Sequence, residues 1–144
     1  MKKVEDILAR KGKKMIAVSP DTIVIDALKI MADNNIGSVL VMEGKNYLGL
    51  ITERDYSRKV ILKGRHSTDT YVREIMTTDL PAVRPGDSIE HCMQLITVEN
   101  VRYLPVFENG ELTGIVSIND VVKETILSQE ETISTLKEYL YANR

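Results

Sequence analysis

Apolar positions along the chain follow two rhythms, a period of two and a period near 3.6, and the same succession of rhythms is written twice. Residues 15–18 form a short apolar run closed by Ser19-Pro20 and read as a strand. Val24, Leu28 and Met31 then recur on one helical face behind Asp21 and Thr22, which stand where N-caps belong. Residues 38–42 and 47–51 are aliphatic runs around Glu43-Gly44-Lys45-Asn46 and predict a hairpin. A second helix is expected from about Thr52 toward Leu62. The pattern returns as a strand at 82–83, a helix at 88–99 and strands at 103–107 and 112–116, with Asn109-Gly110 as the hairpin turn. The paired strands are so rich in Val, Ile and Leu that both faces of each sheet are expected to be covered.

A shift of 65 positions superposes the two halves. It aligns Pro20 with Pro85, Asn35 with Asn100, Val41 with Val106, Glu43 with Glu108, Gly49 with Gly114 and Asp55 with Asp120. Two copies are too few for a solenoid, so the sequence predicts an α/β (α+β) protein of two pseudo-symmetric β-α-β-β-α subdomains completing one core. The polar, glycine-bearing stretch 63–70, KGRHSTDT, reads as the linker and divides the chain into 1–65 and 66–144. Beyond the second copy, Val122, Ile126, Gln129, Ile133, Leu136 and Leu140 recur at steps of four and three. They predict an extra C-terminal helix with a heptad-like stripe that either packs on its own domain or forms a seam.

The repeated phrases GLITERD (49–55) and GIVSIND (114–120) carry the candidate chemistry. Each places a Thr or Ser and, three residues later, an Asp at a strand-to-helix turn. Helix capping alone accounts for such a pair, since the hydroxyl accepts an N3 amide and the acid reaches back to the cap amide. That arrangement stabilises a helix start by about 1 kcal/mol and needs no ligand. The same groups also suit a nucleotide. Free amides and the positive helix end favour phosphate, and a carboxylate offers two oxygens to the adjacent hydroxyls of a ribose. The spacing fits both readings.

Composition narrows the classes. A net charge of −2 over 144 residues supplies no general basic field for nucleic acid or anionic membrane. No apolar run approaches the roughly 20 residues of a membrane span, and MKKVEDILARKGKK has no apolar core for a secretory signal. The single cysteine, Cys92, excludes an internal disulfide, suits a reducing cytoplasm and is expected to be a buried small apolar residue. His66, His91 and Cys92 make no zinc-ligand pattern, and Met31, Met42, Met76 and Met93 fall at core-like positions. No P-loop, Gly-x-Gly-x-x-Gly or nucleophile-base set is present, so no enzymatic activity is expected.

The stretches NNIGSVLVMEGKNYLGLITERDYSRKVI and ENVRYLPVFENGELTGIVSINDVVKETI resemble a tandem pair of cystathionine-β-synthase (CBS) domains, the Bateman module. The lead-in Val4-Glu-Asp-Ile-Leu8 and its echo Val72-Arg-Glu-Ile-Met76 match the start of each copy. The resemblance runs from about Val4 to Ile126, and TERDYSRKVILKGR is similar to small stand-alone CBS-pair proteins. It implies two copies packed through their sheets, with clefts that take adenosine nucleotides: AMP first, then ADP, ATP, NAD or S-adenosylmethionine. It implies that Thr52/Asp55 and Ser117/Asp120 hold phosphate or ribose, with Asn119 beside Asp120. Lys14, Met15 and Ile16 would line the cleft of Ser117 and Asp120, and Thr78, Leu80 and Pro81 that of Thr52 and Asp55. Ile36 and Val101 would border the adenine. Arg102 matches a phosphate-binding arginine where the first copy has Gly37, so the Ser117/Asp120 cleft is expected to be the stronger, although Arg102 equally suits a sheet edge. Arg54 is expected to reach a cleft or to pair on its own helix. The resemblance further implies a regulatory module, a homodimer with the C-terminal helix as its seam, and a regulated enzyme or transporter in trans. A ligand-free scaffold is the alternative.

Overall fold

In the computed structural model, which describes residues 2–12 and 14–142, helix α1 (Val4–Lys11) opens the chain. There follow β1 (Ala17–Val18), α2 (Val24–Asn34), β2 (Ser38–Glu43), β3 (Asn46–Thr52) and α3 (Glu53–Tyr56), which continues as a π-helical turn over Ser57–Ile61. After a 3₁₀ turn at Val72–Glu74 come α4 (Ile89–Glu99), β4 (Tyr103–Glu108), β5 (Glu111–Ser117) and α5 (Ile118–Ala142). The expected α+β class and the C-terminal helix are both present.

The hydrogen-bond register carries the duplication into three dimensions. β2 and β3 pair antiparallel, with Ser38 opposite Thr52 and a bulge between Val41 and Met42. β4 and β5 repeat this, with Tyr103 opposite Ser117 and the bulge between Val106 and Phe107, again 65 positions on. β1 adds in parallel to β2, whereas its counterpart is a single parallel bridge from Val83 to Val106. Asn35 and Asn100 end α2 and α4 with φ of 52° and 53°, the left-handed cap that asparagine tolerates better than most residues. This explains why both copies keep an Asn there.

Two compact units result: Lys14–Leu80, here the first-copy unit, and Met1–Lys13 with Pro81–Arg144, the second-copy unit. They cut the chain differently from the division 1–65 and 66–144, because each lead-in packs on the other copy. Val4 and Ile7 join Val83, Ile89, Cys92, Leu104, Val106 and Val116 in one core. Val72 and Ile75 join Val18, Val24, Met31, Val39, Val41 and Ile51 in the other. Burying a Val or Ile fully contributes about 1.5–3 kcal/mol, more than a helix cap gives, so these four side chains outweigh the local signals in fixing the exchange.

Three local expectations change. Asp21 and Thr22 do not cap α2; Ile23 is the cap residue, and the Val24 and Ile25 amides donate to the Thr70 and Ser67 carbonyls at 2.8 and 2.9 Å. The stretch 63–70 therefore does more than link: it is mostly exposed, but it meets the start of α2 through two carbonyls, and Thr70 is buried. Among the methionines, Met31 is core, Met42 and Met76 are half-buried, and Met93 is exposed, its sulfur accepting the Thr125 hydroxyl of α5 at 3.6 Å. Cys92 is fully buried, and that burial, followed by the nearby charge of Asp87, pushes its thiol pKa up to about 11.

Candidate functional site

Each strand-to-helix turn forms because the register ends a strand on a hydroxyl residue that then caps the next helix. In the first-copy unit, Thr52 Oγ1 accepts the Asp55 amide at 3.0 Å and donates to Asp55 Oδ2 at 3.0 Å. The Thr52 amide donates to the same oxygen at 3.0 Å. Thr77 Oγ1 and Lys59 Nζ approach Asp55 Oδ1 at 2.8 and 2.9 Å. Four donors thus meet the roughly four acceptor positions of a carboxylate, and the Asp55 side chain is 7% exposed.

The second-copy turn is built alike and finished differently. Ser117 Oγ accepts the Asp120 amide at 3.1 Å, and Asp120 Oδ2 accepts the Ser117 amide at 2.9 Å and Lys11 Nζ at 2.8 Å. Among the described residues, Asp120 Oδ1 accepts no hydrogen bond and the Ser117 hydroxyl has no acceptor. Asp120 is 17% exposed.

Glycine at the head of each phrase answers a close approach by the lead-in. A Cβ on Gly49 would lie 2.7 Å from the Thr77 carbonyl oxygen, and one on Gly114 would lie 2.7 Å from Leu8 Cδ2. Thr77 is held there by reciprocal backbone bonds with Leu50, at 2.8 and 2.9 Å. In the second-copy unit, Lys11 Nζ bonds the Ile115 carbonyl at 2.9 Å, the position equivalent to Leu50.

Gly37 and Arg102 lie against these turns through their backbones. The Glu53 amide donates to the Gly37 carbonyl at 3.1 Å, and the Ile118 amide donates to the Arg102 carbonyl at 2.8 Å. Ile36 and Val101 precede them, are half-buried, and pack against the cores of their own units. Among the described residues the guanidiniums of Arg102 and Arg54 make no hydrogen bond or ion pair; Arg102 and Asn119 are exposed and Arg54 is half-buried. Lys14, Met15, Ile16, Thr78 and Leu80 belong to the first-copy unit and Pro81 to the second. Lys14, Met15 and Thr78 are exposed, and Ile16, Leu80 and Pro81 are half-buried.

Sequence reasoning missed the cations. Lys59 is one helical turn past Asp55, and its equivalent in the second copy is Glu124. Glu124 is buried and takes both Arg10 Nε and Nη2, at 3.0 and 2.9 Å, while Lys11 serves Asp120. The charge reversal between Lys59 and Glu124 was the available signal, since Asp120 and Glu124 on one helical face require cations from elsewhere.

Comparison with known proteins adds to this geometry. The family model described as CBS domain matches residues 4–61 and 72–126. The mitochondrial CBS domain-containing protein CBSX3 of Arabidopsis thaliana is 36% identical over 146 residues, covering 95% of this chain and 71% of its own. The CBS domain-containing protein YhcV of Bacillus subtilis is 29% identical over 99% of each chain. The solved structure of a candidate signal-transduction protein with CBS domains from Burkholderia ambifaria superposes with a TM-score of 0.84 at 42% identity, covering 89% of this chain and 96% of that one.

Proposed function

The chain belongs to the CBS-domain family as a tandem pair, and from that premise we propose that it is a regulatory module that senses adenosine nucleotides, AMP before ADP or ATP. The supporting observation is the second-copy turn. Among the described residues, the Ser117 hydroxyl has no acceptor, Asp120 Oδ1 accepts no hydrogen bond and the Arg102 guanidinium makes no ion pair, while the Arg102 carbonyl accepts the first amide of α5. A donor, an acceptor and a cation at a helix N-terminus suit phosphate and ribose together. In this reading Ser117 donates to phosphate, Asp120 accepts from the ribose hydroxyls, and Arg102 pairs with phosphate charge. Nucleotide binding then changes affinity for a regulated protein in trans, for which a coupling of about 1–3 kcal/mol is sufficient. The module acts as a cytoplasmic homodimer, without chemistry of its own.

Calorimetric titration with AMP, ADP, ATP, NAD and S-adenosylmethionine tests this, repeated on Asp120→Ala. Saturable AMP binding that Asp120→Ala abolishes is the expected result. Binding that survives the substitution unchanged refutes the assignment, and no binding by any of the five favours a ligand-free scaffold.

A further inference from the structure

We infer that the second-copy unit carries a docking groove for an arginine-bearing peptide segment of a partner protein, at a place that the first-copy unit fills with its own Arg73. All the lining residues belong to that one unit, and nothing in it depends on nucleotide sensing. The lead-ins dock alike in the two units. In the first, the Val72 and Arg73 amides donate to the Thr22 and Pro20 carbonyls at 2.8 and 3.2 Å. In the second, the Val4 and Glu5 amides donate to the Asp87 and Pro85 carbonyls, 65 positions beyond Thr22 and Pro20, both at 2.9 Å. Antiparallel bridges between Tyr71 and Ile23 and between Lys3 and Ser88 complete the correspondence. Arg73 and Glu5 therefore occupy equivalent places, as do Asp21 and Gly86.

The side chains at these places reverse the charge. Arg73 pairs with Asp21 and lies over the Tyr71 ring, 4.5 Å from its centroid, so an internal ion pair closes the first-copy place. Glu5 and Gly86 make no such pair, and a groove of about 950 Å³ lies open between Glu5, Pro85, Asp87 and the hairpin end at Phe107 and Glu108. Buried Val83 with half-buried Pro85 and Phe107 gives it an apolar floor, and Glu5, Asp87 and Glu108 give it an acidic rim. Among the described residues Arg84 is the rim's one cation, and neither Glu5 nor Glu108 makes an ion pair. Asp87 Oδ2 accepts the Arg84 amide at 2.8 Å. The hairpin repeats the change, since Gly110 stands where the first copy has Lys45. Among the described residues no three such acids are placed to hold a metal ion together, so the cation they suit is spread out and carried on an apolar stem. An arginine side chain is that cation, and Arg73 is its internal example. Exposed ion pairs contribute little singly, so the floor must add to the rim, which calls for a large apolar residue beside the arginine.

Nuclear magnetic resonance titration of the whole chain with the end-blocked peptide Gly-Arg-Leu-Arg-Gly tests this, against the same peptide with citrulline in place of arginine. The amides of Gly86 and Gly110 line the groove and should shift to saturation, whereas Gly44, at the first-copy hairpin, should not. Citrulline keeps the shape and loses the charge, so it should weaken binding about tenfold, the worth of two exposed ion pairs. Glu5→Gln should weaken the arginine peptide about threefold, the worth of one. The decisive variant is Glu5→Arg with Gly86→Asp, which gives the second copy the internal pair of the first. A Cβ on Gly86 meets nothing within 4 Å, so the substituted chain keeps its fold. It should lose the peptide-induced shifts at a Tm no lower than that of the wild type. Equal binding of the two peptides, unmoved Gly86 and Gly110 amides, or full binding by the double variant would each overturn the groove as a docking site.

Discussion

Arg10 closes on Glu124 with two parallel hydrogen bonds, Nε to Oε2 at 3.0 Å and Nη2 to Oε1 at 2.9 Å. The guanidinium is half exposed and the carboxylate is 1% exposed, so among the described residues the acid depends on Arg10 for compensation. Removing the cation strands a buried charge, which costs more than replacing the pair with apolar groups of similar volume. Arg10→Gln should therefore lower Tm by roughly 5 °C or more, and Arg10→Met with Glu124→Leu should lower it less. Thermal unfolding by circular dichroism decides; a double variant as unstable as the single one contradicts the argument.

The two phrase-initial glycines should respond unequally to a methyl group. At Gly49 the added Cβ meets a backbone oxygen that is itself fixed by the Leu50 amide, so the strand and the lead-in must part. At Gly114 it meets the tip of Leu8, a flexible side chain that can change rotamer. Gly49→Ala should cost about 2–3 kcal/mol and Gly114→Ala about 1 kcal/mol or less, measured as a shift in urea midpoint. The reverse order would show that the close approach at Gly49 relaxes without strain.

What could be read from the sequence follows from range of interaction. The hairpins, α4 and both Thr/Ser-to-Asp boxes are local, so periodicity and capping chemistry found them. α2 was found but not its start, because its first amides are met by the carbonyls of Ser67 and Thr70, some forty residues along the chain. The exchange of lead-ins was equally hidden, although Val4 with Ile7 and Val72 with Ile75 share one spacing. A matched pattern shows that two segments do the same work, not which partner each serves. For the candidate site, the two capped turns were legible, whereas the cations that distinguish one Asp from the other came from α1 and from a π-helical turn.

Cys92 makes stability sensitive to alkali. Its folded pKa is raised from 9.0 to about 11 by burial first and by Asp87 second, so the folded chain holds the neutral thiol. A group with a raised folded pKa contributes stability that is complete below its unfolded value and is lost as pH climbs through the folded one. The urea midpoint should thus fall between about pH 9 and pH 11, and the fall should be shallower in Cys92→Ala. Equal slopes for the two proteins across that window would dismiss the thiol as the cause.

α5 runs for 25 residues, about 37 Å, and carries its apolar stripe into the open. Val121 and Glu124 are buried against its own unit, but Val122, Ile126, Ile133, Leu136 and Leu140 are between 45% and 64% exposed. Packing on its own unit therefore does not account for the stripe. The spacing is that of a coiled-coil seam, with Gln129 as its one polar layer. Glu130 and Lys137 flank the seam one heptad apart, so two antiparallel copies would set each opposite the other's complement. The expected occupant is thus α5 of a second chain. Sedimentation equilibrium should give a dimer for the whole chain, and a chain ending at Leu127 should dissociate at least tenfold more readily. A dimer of unchanged strength in the shortened chain would place the interface elsewhere and leave the stripe for a regulated partner.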